Sequence, residues 1–412
     1  MKLVSFQPEY LRIGEGLPFG VRDAAGRLLL AAGQVIDSDH RMAELRSQPL
    51  FAAEVESALW FKRLVGAMDA RLREGALLHQ VASARPEAEV PRDAPRRPLT
   101  LAEEWGEIVS HLDTALRELR PGVDCQARVL AVHARARALA TRRTDASLYL
   151  LVYEAARSTL KYSSHHAVLT MVISELAARM LAWQQPWIDS LGRAALMMNV
   201  SMRRLQDQLA ADDREPTAEM RAEIAAHPAK SAQMLQQCGL NDPLCQETVR
   251  LHHDAGDARA PLLNLQPAQQ LARLLRRVDI FSAQISLRRS RAPHSPVQAA
   301  REACLAANGQ PDEIGGALLR AVGMYPPGSL VELANGEVGI VVARGRRANV
   351  PYVAALLSGS GNMISDPKLR DTLDRRYAVK AAVAPGSVKI MPPHQILLAM
   401  RTAAEPVGPS LR

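Results

Sequence analysis

From residue 100 to about 323 the apolar positions recur with a helical period. The stretch 166–181 is representative: Leu169, Val172, Ile173, Leu176 and Met180 fall at i, i+3, i+4, i+7 and i+11, one face of a helix. Such a stripe predicts core packing and no chemistry. A helix should begin at Thr100, whose hydroxyl can cap while Glu103 completes a capping box ahead of Trp105, Ile108 and Leu112. Pro186, Pro216, Pro243, Pro261 and the Pro293/Pro296 stretch mark breaks between helices.

The period changes on either side of this region. In residues 1–60, two short apolar runs, 17–22 and 27–31, flank the turn-rich Asp23-Ala24-Ala25-Gly26 and predict a hairpin. Gly33–Ile36 reads as a third strand, and 39–46 as a short helix. Residues 61–99 are assigned to a helix and a linker, because 83–99 holds four prolines among alternating charges. After Tyr325, Leu330–Leu333 and Val338–Val342 flank Asn335-Gly336, a strong local hairpin signal. Further strands are expected at Tyr352–Leu357 and Ser387–Ile390. The resulting scheme is mainly helical: a bundle over 100–323 between a small β-containing module at 1–60 and a β-rich module at 324–412.

Composition narrows the function classes. The 412 residues carry a formal charge of +8, yet only seven of the 51 basic residues are Lys. The arginines form no run that resembles a basic arm, which predicts a solvated surface and no nucleic-acid partner. Arginine also binds phosphate bidentately, so an anionic nucleotide stays open as a ligand. The four cysteines form no CxxC pair and no disulfide framework, which fits a reducing compartment. The first residues lack the apolar core of a signal peptide, and no stretch reads as membrane-spanning, so a cytoplasmic protein without a membrane partner is expected.

Candidate chemistry lies in the helical region. His166, His227 before Pro228, His252-His253 before Asp254, and Asp279 are spread over successive helices. Singly, each suits a helix end or a surface. Together they are the residue types from which a helical bundle builds a metal centre.

In order and spacing these residues resemble the HD-GYP subfamily of HD-domain phosphohydrolases, which open cyclic di-GMP with two or three metal ions. The resemblance covers roughly 150–325. The family's early His aligns with His166, its His-Pro with His227-Pro228, its His-His-Glu with His252-His253-Asp254, and its late Asp with Asp279. Ala194-Ala195-Leu196-Met197 aligns with the run leading into the family's His-Asp pair, and Arg291-Ala292-Pro293 with its Arg-x-Pro. The first sixty residues resemble the small module that precedes many such domains.

The departures carry equal weight. Where the family has His-Asp, this chain has Met198-Asn199, and Met202 replaces a Lys. The Gly-Tyr-Pro loop reads Arg259-Ala260-Pro261. The lost Asp would bridge two metals, and Asn offers one neutral carbonyl in its place. Met198 is a soft ligand poorly matched to manganese or ferrous iron. The resemblance therefore implies a degenerate domain that signals by binding a protein partner or cyclic di-GMP, with no catalytic residues expected. The alternative is an active phosphohydrolase with a mononuclear site. The implied cofactor is none, or one divalent ion (Fe, Mn or Zn) on His227, His252 and His253, with His166 and Asp279 as remnants of the other site. The opposing reading has these histidines as packing residues. Arg259 and Arg291 are ligand-binding candidates, and a homodimer is among the partners considered.

Overall fold

The structure is a computed structural model that describes residues 2–36, 39–73, 81, 84, 99–123, 125–254, 260–290, 293–305, 310–384, 386–388 and 391–402. It divides into two compact units, Met1–His111 and Leu112–Arg412. The chain is mainly helical, with one antiparallel sheet in each unit.

The first unit holds the strands β1 (Leu3–Phe6), β2 (Val21–Arg22), β3 (Leu28–Leu30) and β4 (Leu50–Ala53), in the order β1-β4-β2-β3. The β2–β3 turn forms as its residues predict. Asp23 Oδ1 accepts from the N–H groups of Ala25 and Arg27, both at 2.9 Å, and Gly26 takes the left-handed φ of 81°. Helix α1 (Asp39–Arg46) lies between β3 and β4, and α2 (Glu54–Arg73) follows β4. Phe6, Phe19 and Trp60 form an aromatic core, with Phe6 and Phe19 edge-to-face at 5.7 Å.

The expected third strand at Gly33–Ile36 is not one. Among the described residues it makes only the isolated bridges Ile13↔Ile36 and Gly16↔Val35. Ile36 is buried while Val35 is 47% exposed, so a single side chain anchors the segment and no ladder extends. Sheet positions fall instead to β1 and β4, whose four residues are too few to show a period.

Helix α3 (Leu101–Arg117) opens on the expected capping box. Thr100 N–H donates to Glu103 Oε2 at 2.8 Å, and Glu103 N–H donates to Thr100 Oγ1 at 3.3 Å. Most of the linker 83–99 lies outside the described residues.

The second unit is built from α4 (Cys125–Arg142), α5 (Thr144–Ala155), α6 (Tyr162–Met180), α7 (Gln185–Met197), α8 (Arg203–Ala211), α9 (Ala218–Gln237), α10 (Pro243–Leu251), α11 (Pro267–Ile285), α12 (Pro296–Cys304) and α13 (Glu313–Val322). Prolines 186, 243, 267 and 296 sit in first turns, where a missing N–H costs nothing. Helix α6 is the axis. It packs on α4, α5, α7, α8, α11 and α13, and it is buried nearly all round from Tyr162 to Ala178.

After the break at Tyr325 come β5 (Leu330–Leu333), β6 (Val338–Ala343), β7 (Tyr352–Leu357), β8 (Met363–Asp371) and β9 (Val379–Val383), ordered β8-β7-β6-β5-β9. Asn335-Gly336 forms the β5–β6 turn, with Gly336 at φ 80° and the Asn335 side chain accepting from Glu337 N–H at 3.2 Å. A final helix, α14 (His394–Thr402), packs on β6, β7 and β8. The expected strand at Ser387–Ile390 does not form over its described part. Ser387 is a bend and Val388 has no regular structure, while Lys389 and Ile390 lie outside the described residues. The edge positions belong to β8 and β9, whose mostly exposed side chains lack the apolar alternation by which a strand is recognised. No helix among the described residues is long and apolar enough to cross a membrane.

Candidate metal centre

Two helices aim imidazoles at one point, each by a local backbone device. Pro228 lies inside α9 and has no N–H, so the Ile224 carbonyl one turn back loses its helical donor. His227 supplies a replacement: its Nδ1 lies 2.5 Å from Ile224 O. Helix α10 ends at Leu251, which leaves its last carbonyls without helical partners. His252, the capping residue, places Nδ1 2.6 Å from Val249 O. Both rings are locked by the same i−3 bond and are fully buried.

A carbonyl can only accept, so both Nδ1 atoms carry the proton and both Nε2 atoms present lone pairs. Those two Nε2 atoms face each other at 3.0 Å. Burial lowers the pKa of His227 to about 4 and that of His252 to about 3, so near neutral pH no proton lies between them. Two opposed lone pairs repel, and a shared cation turns that repulsion into ligation. His253 completes the set: a ligand atom from each of the three rings lies within 4.8 Å of the others, and His253 is the exposed member. Its pKa is also lowered, chiefly by burial, with the Asp279 carboxylate opposing. A three-imidazole donor set with one solvent-facing side fits a divalent transition metal.

The second pair lies on α6 and α11. His166 Nε2 donates to Asp279 Oδ1 at 2.7 Å, and the Tyr162 ring stacks on His166 at 6.0 Å. Asp279 is held down at about pKa 2: burial pushes it up, but the bond from His166 outweighs this. The Asp279 charge also acts on His227, His252 and His253, so the five expected residues form one electrostatic cluster. The buried His166 Nδ1 has no hydrogen-bond partner among the described residues.

At the end of α7, Met198 is the capping residue and fully buried. Asn199 follows it, with a buried Oδ1 that has no partner among the described residues, and Met202 precedes α8. Arg259 and Arg291 lie outside the described residues.

Sequence reasoning missed the orienting groups. The Ile224 and Val249 carbonyls were in principle readable, since each lies three residues before its histidine. It also missed the Arg288 guanidinium, whose Nε donates to the Tyr162 hydroxyl at 3.0 Å from 126 positions away. No local signal announces that contact.

No family model matches the chain. Over 202 residues it is 27% identical to a cyclic di-GMP phosphodiesterase of Pseudomonas aeruginosa, covering 48% of this chain and 49% of that protein. Over that span the chain is similar to this phosphodiesterase. It spans about half the length of this curated relative. A solved HDG"Y"P protein from Bdellovibrio bacteriovorus aligns over 77% of this chain and 98% of its own, at 13% identity and a TM-score of 0.38.

Proposed function

We propose that this HD-GYP-like chain acts in cyclic di-GMP signalling as a binding component and not as a hydrolase. The region 100–323 would be the signalling domain, flanked by the two β-containing modules, and its output would be contact with a protein partner. The observation that carries this reading is at the end of α7, where Met198 is fully buried and the neutral Asn199 Oδ1 has no partner among the described residues, at the two positions that the resemblance aligns with the family's His-Asp pair. Two dications a few ångströms apart repel strongly unless an anion lies between them. Asn199 supplies no anion.

One divalent ion would be held by His227, His252 and His253. When bound, such an ion offers a Lewis-acid contact to a phosphate oxygen. The chain's own residues do the rest. The Ile224 and Val249 carbonyls keep both Nε2 atoms unprotonated, and Asp279 holds the His166 proton at Nε2. The exposure of His253 favours a second reading, a mononuclear phosphohydrolase, because catalytic sites keep one face open.

Elemental analysis paired with a cyclic di-GMP hydrolysis assay separates these readings. We expect about one metal ion per chain, its loss on His252→Ala, cyclic di-GMP binding by calorimetry, and no turnover. Turnover that His252→Ala abolishes would establish the mononuclear enzyme instead. Absence of both metal and cyclic di-GMP binding would refute both.

A further inference from the structure

We infer that this chain forms a two-fold homodimer through the outer face of α13 and the apolar groove beside it. The groove, of about 560 Å³, is lined by Met180, Leu181, Trp183, Leu262 and Leu263, with α13 along one wall. Leu263 is 85% exposed and Met180 is 41% exposed. A knob and a groove that lie together on one surface are self-complementary: under a two-fold axis, each Leu263 enters the groove of the other copy.

Charge selects a second copy of this chain as the occupant. The outer face of α13 presents Glu313, Gly316 and Arg320 at i, i+3 and i+7. Glu313 and Arg320 make no ion pair among the described residues. Two such helices laid antiparallel, with the axis between Gly316 and Ala317, set Glu313 of each copy against Arg320 of the other. At the crossing point, a Cβ on Gly316 would meet only the Arg320 side chain, at 3.5 Å. That flexible side chain, whose Nη2 donates to the Met180 carbonyl at 3.1 Å, must swing off Gly316 to reach the other copy, and its departure is what lets the backbones approach there. This placement of acid, glycine and base fits its own two-fold image and no general apolar ligand. It does not depend on the proposed signalling role.

The full chain is tested by sedimentation across the micromolar range. We expect a dimer that Glu313→Arg or Arg320→Glu each weakens about tenfold or more, since either change opposes like charges across the axis. The double variant restores it, and Leu263→Asp abolishes it. All three positions are on the surface, and circular dichroism checks that each variant keeps its helices. A monomer at every concentration overturns the inference. So does a dimer indifferent to these changes, a double variant no better than the singles, or a monomer that uses this face for a different protein.

Discussion

At the scale of single residues, the histidine cluster turns on proton placement. Two imidazoles 3.0 Å apart would ordinarily share a proton, but their Nδ1 bonds and their burial leave both Nε2 atoms bare. This gives the metal-stripped protein a pH signature. Unfolded, His227 and His252 titrate at their ordinary 6.5; folded, they take up a proton only near 4 and 3. The unfolded chain therefore binds more protons below 6.5, and stability falls as pH drops towards those folded values. The slope is roughly 1.4 kcal/mol per pH unit for each histidine. Urea titrations of chelator-treated protein from about pH 7 to about pH 5 should show it. A flat profile would mean that the rings are not held neutral. The same accounting underlies the proposed reading of Asn199. A carboxylate there would add charge where dications need it, whereas a neutral amide adds only a dipole.

At the scale of elements, α6 is central because the helices around it are tied together by more than apolar contact. Its Glu175 is buried, yet it accepts from Arg137 Nε at 2.8 Å and Nη2 at 2.7 Å and meets His133 Nε2 at 2.7 Å. Arg137 also pairs with Asp189 on α7. Burial pushes the Glu175 pKa up, but the bonds from His133 and Arg137 outweigh it and leave the carboxyl below its ordinary range. The network fits because α7 has a glycine where it crosses: a Cβ on Gly192 would overlap both Glu175 Oε1 and His133 Nε2. Gly192→Ala should therefore displace a buried ion pair and cost about 3 kcal/mol, measured as a drop in the urea midpoint. A change within about 0.5 kcal/mol would show that the helices yield easily there.

At the scale of the whole molecule, the count of 51 basic residues overstates the cationic surface. Many arginines are spent on internal pairs: Arg193 with Asp242, Arg277 with Asp312, Arg344 with Asp145 and Arg370 with Glu337. Arg22 is buried against Glu103. An arginine that already holds a carboxylate releases few counterions on meeting a phosphate backbone. Little retention of single- or double-stranded DNA is therefore expected at about 0.15 M salt, measured by fluorescence anisotropy. Binding that weakens steeply with salt would show that the unpaired arginines form a continuous patch.

The sequence by itself determined whatever is settled within a turn or two of chain. The helical period over 100–323, the Thr100–Glu103 box and the Asn335-Gly336 hairpin are local patterns with local causes, and each is found in the fold. Tertiary structure decided what depends on distant partners. Whether Gly33–Ile36 joins a sheet is set by neighbouring strands, and the exposed edge strands β8 and β9 carry no apolar period to read. The separation of the His227 and His252 nitrogens arises where α9 meets α10, and the Glu175 network needs three helices and the missing Cβ of Gly192. Side-chain identity could be read in advance, but distance could not. A distance of 3.0 Å between two lone pairs exists only once packing has brought two helix ends together.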